Sequence, residues 1–101
     1  NVHPSEVENL LFTHPGIADA AVVGLPSARW GQAVCAAIVR KDPALSAEAL
    51  DRFCRDSNEL ARFKRPRRYF FIDEIPANST GKVERGHLKE QLAALLRQPL
   101  E

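Results

Sequence analysis

Apolar positions change period several times along the chain, and each change marks an element. Val7, Leu10 and Leu11 recur at helical spacing behind Pro4, which suits a first helical position. Glu6 and Glu8 fall in the first turns, where carboxylates complement the helix dipole, and His14-Pro15-Gly16 stops the helix. Ala18 to Leu25 (ADAAVVGL) and Ala33 to Arg40 (AVCAAIVR) are short apolar runs that predict strands. The loop between them, Ser27 to Gln32, is short enough for an antiparallel pair. Ser46 predicts the cap of a second helix with Leu50, Phe53 and Cys54 on one face.

The segment from Glu59 to Arg67 is irregular and basic. Arg68 to Ile75 (RYFFIDEI) is the strongest strand signal, its large apolar residues consecutive as in a strand covered on both faces. Leu88, Leu92, Leu95 and Leu96 predict a last helix. The order α-β-β-α-β-α implies an α/β (α+β) fold, a compact sandwich of about three strands and three helices.

At 101 residues the chain is one domain's worth of core. Its net charge of +1 gives no whole-molecule field for nucleic acid or an anionic membrane, so any basic site must be local. No apolar run reaches the roughly 18 residues of a membrane span. Cys35 and Cys54 lie far apart among apolar residues, as buried reduced thiols would, and a cytoplasmic location is expected. His3, His14 and His87 have no metal spacing, and no metal site is expected. The chain has no methionine and opens directly on a helix signal, as a domain cut from a longer protein would. Residues 1–97 are read as that domain and 98–101 as a tail or remnant.

Two stretches offer chemistry. Residues 76–84 read PANSTGKVE and place Lys82 behind a glycine ahead of the last helix. A phosphate-cradling loop would need glycine at Pro76 and Ser or Thr at Val83, so a self-contained cradle is not expected. Delivery of one charge to a site built elsewhere remains, beside the plain alternative of a solvated lysine in a turn. Asn78, Ser79, Thr80 and Gly81 are expected to let the loop deform. The second stretch, Arg62 to Arg68, holds five cations in seven residues around Pro66. It fits phosphate binding by arginine forks, a solvated charge run, or single-stranded nucleic acid. The low net charge argues against the last.

From Pro76 the sequence follows P-x-N-x-T-G-K-V-x-R-x-x-L, ending at Arg85 and Leu88. This resembles the C-terminal signature of the adenylate-forming superfamily of acyl- and aryl-CoA ligases, luciferases and peptide-synthetase adenylation domains. NVHPSEVE, VVGLPSARWGQAVCAAIV and FKRPRRYFFIDEIP resemble further segments of these enzymes in order and spacing, the chlorobenzoate-type aryl-CoA ligases above all.

The resemblance implies the small, mobile C-terminal domain of an acid–thiol ligase, inactive by itself. Its partners would be an N-terminal domain, a carboxylic acid, ATP and CoA, with Mg2+ expected in that larger domain. Lys82 matches the adenylation lysine. Trp30 and Phe63 match residues at the adenine end of CoA, and Arg65 and Arg67 face its phosphates. The alternative for Trp30 is a packed loop anchor. Arg85 matches a motif position, and packing or a salt bridge accounts for it most simply. A domain that loads a carrier protein, a small nucleic-acid module and a non-catalytic interaction domain are the rival readings.

Overall fold

A computed structural model of the chain describes residues 3–27, 31–60 and 64–96. The elements are α1 (Pro4–Leu11), β1 (Ile17–Ser27), β2 (Gly31–Arg40), α2 (Ala47–Asp56), β3 (Arg68–Phe71) and α3 (Arg85–Leu96). They follow the expected α-β-β-α-β-α order. The sheet runs β1-β2-β3, with β1 and β2 antiparallel and β2 and β3 parallel. A parallel neighbour needs a crossover, and α2 supplies it.

Side chains alternate across a strand, so each strand feeds two cores. Ala20 and Val22 of β1 join Ala36 and Ile38 of β2 beneath Val7, Leu10 and Leu11 of α1 and Leu50 and Cys54 of α2. Ala21, Val23 and Leu25 join Cys35, Ala37 and Phe70 beneath Leu88 and Leu92 of α3. Covering on both faces explains why the strands read as unbroken apolar runs. Full burial of each such leucine or isoleucine contributes roughly 1.5–3 kcal/mol. Ser46 caps α2 as expected, its Oγ accepting the Ala49 N–H at 3.1 Å.

The strand ends differ from expectation at the hairpin and in the third strand. The hairpin pairs out to Ser27 opposite Gly31, which narrows the connection to residues 28–30, outside the described residues. Pro26 is tolerated because β1 lies at the edge of the sheet, and an edge strand can lack a donor on its open side. The third strand, expected from Arg68 to Ile75, pairs only over Arg68–Phe71. One further bond, from Ile72 N–H to the Ile38 carbonyl at 3.0 Å, closes the ladder. Exposed Asp73 and Glu74 then turn outward to water, and Ile75 re-enters as a core residue against α3.

Cys35 and Cys54 are buried and free, as expected. Among the described residues no helix is long and apolar enough to cross a membrane.

Candidate functional site

Lys82 stands on a miniature hairpin built largely by one side chain. The Asn78 Oδ1 accepts from Thr80 N at 3.0 Å, Thr80 Oγ1 at 2.7 Å and Lys82 N at 3.0 Å. Backbone bonds close the same turn: Gly81 N–H to the Asn78 carbonyl and Asn78 N–H to the Lys82 carbonyl, both 2.9 Å. Ala77 and Val83 form a bridge below them, and the Glu84 N–H reaches the Pro76 carbonyl at 3.0 Å. Gly81 sits at φ 86°, the left-handed region where a Cβ would be strained. The expected deformable loop is thus a braced one, because asparagine can satisfy several turn donors at once. Lys82 itself is exposed, so its ammonium projects from a fixed base into solvent.

The hairpin is tied to the domain by Arg85. Its Nη1 donates to Glu8 Oε2 at 2.7 Å and to the Val22 carbonyl at 2.8 Å, and its Nη2 donates to Glu8 Oε1 at 3.2 Å. Glu8 Oε2 also accepts the Val22 N–H at 2.8 Å. Both backbone groups of Val22 lie on the open side of an edge strand, and the ion pair satisfies them where a further strand would have done so. Glu8 is 9% exposed, so it is a buried, fully partnered carboxylate rather than a helix-dipole residue. Its position offered a signal: it lies beside Val7 and one turn before Leu11, on the face that meets the sheet. A charge there requires a buried partner. The salt bridge expected of Arg85 is present.

Arg65 and Arg67 are half-buried ahead of β3. Pro66 between them is buried, and the Arg67 N–H donates to the Val34 carbonyl at 2.7 Å, docking the stretch onto β2. Lys64 is anchored to Glu6 of α1 at 3.0 Å. Arg67 opens into a cleft of about 500 Å³ between α2 and β3, lined also by Arg52, Arg55 and Arg68 and by Glu48 and Asp51. Four guanidiniums against two carboxylates leave the cleft cationic, although Asp51 is paired with Arg55 at 2.8 Å.

At the cleft floor Tyr69 O–H donates to Cys54 Sγ at 3.4 Å. Burial, then the thiol contact, push the phenol far above its usual range, with Arg65 opposing. Burial likewise raises the Cys35 and Cys54 thiols, which makes them poor nucleophiles. Trp30 and Phe63 lie outside the described residues. Among the described residues no cluster of His, Cys, Asp and Glu could hold a metal.

The two candidate surfaces sit in different layers. Arg67 faces α2, whereas Val83, next to Lys82, packs in the core under α3. The profile of the AMP-binding enzyme C-terminal domain matches residues 6–82. The chain belongs to that family.

Among its relatives, the 4-chlorobenzoate–CoA ligase of an Arthrobacter species is 53% identical over 94 residues, covering 93% of this chain and 18% of that enzyme. A fatty acid–[acyl-carrier-protein] ligase of Streptomyces coeruleorubidus is 44% identical over 91 residues, 90% of this chain and 17% of the ligase. The solved Mycobacterium tuberculosis fatty acyl CoA synthetase superposes with a TM-score of 0.87 at 36% identity, covering 94% of this chain and 18% of that one. The chain therefore spans less than a fifth of the length of these relatives.

Proposed function

We propose that residues 1–97 act as the mobile C-terminal domain of an ATP-dependent acyl- or aryl-CoA ligase, with 98–101 a tail. In this reading the acid first attacks the α-phosphate of ATP, giving acyl-AMP and pyrophosphate. The thiol of CoA then displaces AMP to give the thioester. Lys82 serves the first step. Carboxylate attack brings two anions together, and a cation held at the forming bond stabilises the transition state more than the separated reactants. Arg65 and Arg67, with Trp30 and Phe63, serve the second by holding the CoA nucleotide. The acid, most of ATP and Mg2+ belong to the N-terminal domain, and the isolated chain is inactive.

One observation supports this above the rest: the braced, exposed lysine and the arginine cleft belong to opposite layers of the sheet. A domain that serves two half-reactions by turning needs its two tools on separate surfaces. The test is Lys82→Ala in the full-length enzyme. Loss of a preorganised charge costs about 3–4 kcal/mol, so adenylation falls about 10²- to 10³-fold. Thioester formation from supplied acyl-adenylate stays close to wild type. Equal loss in both steps refutes the assignment.

Transfer to a carrier protein is the second reading, favoured by the 44% identity to a carrier-protein ligase. Free CoA is preferred because a cleft with four arginines suits the phosphates of a nucleotide, which a carrier-borne pantetheine lacks. Turnover with holo-carrier but not with CoA would reverse that preference.

A further inference from the structure

Lysine is a point charge on a flexible stem, so its aim depends on the backbone beneath it. That backbone is fixed at two levels. Asn78 gathers three donors of the turn, the Lys82 N–H among them. Three residues beyond Lys82, Arg85 is pinned to Glu8 and Val22 by three hydrogen bonds. A three-residue span reaches at most about 10 Å, so the pinned arginine limits where the hairpin can sit.

An ion pair with one buried partner, as Glu8 is here, is a weak source of net stability, because desolvation offsets its attraction, and an apolar pair of similar size often serves as well. What a fork-to-carboxylate contact adds is direction, since it is satisfied in one orientation. Arg85 also lies beyond the segment that defines the family match, which ends at Lys82.

We propose that Glu8, Arg85 and Asn78 are positioning residues for the Lys82 ammonium. The Glu8–Arg85 clamp fixes the stem of the hairpin against β1, and Asn78 fixes its tip. The inference rests on the adenylation reading of Lys82.

The experiment compares Glu8→Gln, Arg85→Lys, Asn78→Ala and Lys82→Ala in the full-length enzyme. Pyrophosphate release reports adenylation, and thioester formation from synthetic acyl-adenylate and CoA reports the other half-reaction. Misplacing a reacting group by 1 Å can cost about 10²-fold. Adenylation kcat is therefore expected to fall about 10- to 100-fold in each positioning variant, with thioester formation within about twofold of wild type.

A merely structural role would lower both half-reactions together, and that result in any folded variant overturns the proposal, as does unchanged adenylation. Asn78 is exposed and its replacement leaves the core intact, so it supplies the decisive result where a clamp variant fails to fold. Lys82→Ala separates the two ideas. Intact adenylation there sinks the reading of Lys82 itself. Lost adenylation there, beside unaffected positioning variants, sinks the clamp alone.

Discussion

Replacing Leu88 by alanine tests whether α3 belongs to the folded unit that presents Lys82. Leu88 is 0% exposed and lies in the core formed with Ala21, Val23, Leu25, Cys35, Ala37 and Phe70. The sheet contributes mostly small residues to this layer, so the two leucines of α3 at positions 88 and 92 supply much of its bulk. Leu→Ala removes about three methylene equivalents, roughly 2.4 kcal/mol of transfer free energy at about 0.8 each. The cavity left behind adds to this, and the measured range for such changes is about 2.7–5.0 kcal/mol.

A cost of about 3–4 kcal/mol follows, against a total stability of about 5–15 kcal/mol for a domain of this size. With a urea m-value near 1.5 kcal/mol/M, the midpoint should drop by about 2–3 M. Urea titration of the 101-residue chain followed by far-ultraviolet circular dichroism measures it. A cost below about 1 kcal/mol with an unchanged m-value would refute the packing argument. It would mean that α3 is not docked, and Arg85 would lose its base as well.

Two further outcomes are expected. Burial raises both thiols, so the thiolate population in the folded chain stays below that of a free cysteine through mildly alkaline pH. A disulfide reagent should therefore label Cys35 and Cys54 slowly until denaturant is added, and rapid labelling of the native chain at pH 8 would contradict the buried placement. On the proposed reading, Arg67→Ala in the full-length enzyme should raise KM for CoA about tenfold or more while leaving KM for ATP in the adenylation step unchanged, since a charge-assisted contact contributes roughly 1.5–3 kcal/mol. An equal rise for both substrates would remove Arg67 from the nucleotide site.

The architecture was legible because its signals are local. Ser46 before an apolar stripe, the runs AAVV and VCAAIV, and the leucines of the last helix each declare their element within a few residues. The C-terminal end of β3 was not, because RYFFIDEI continues an apolar pattern past the point where Asp73 and Glu74 leave the sheet. Lys82 could be singled out by its motif. Its surroundings could not: Asn78 looked like a flexible loop residue, and its role as a three-donor acceptor depends on the turn it closes. Glu8 reads locally as a dipole residue because its partner is 77 positions away, and no local pattern joins the two.

That long-range pair also bears on how such domains can be exchanged between enzymes. A splice made anywhere between residues 8 and 85 draws the two halves of one charge pair from different parents. Unless both parents carry acid and arginine at these places, the hybrid strands a guanidinium beside an unmet Val22 N–H or a carboxylate beside an unmet Val22 carbonyl. Grafting is safest when the first and last helices travel together, as a matched set, whatever is changed in between.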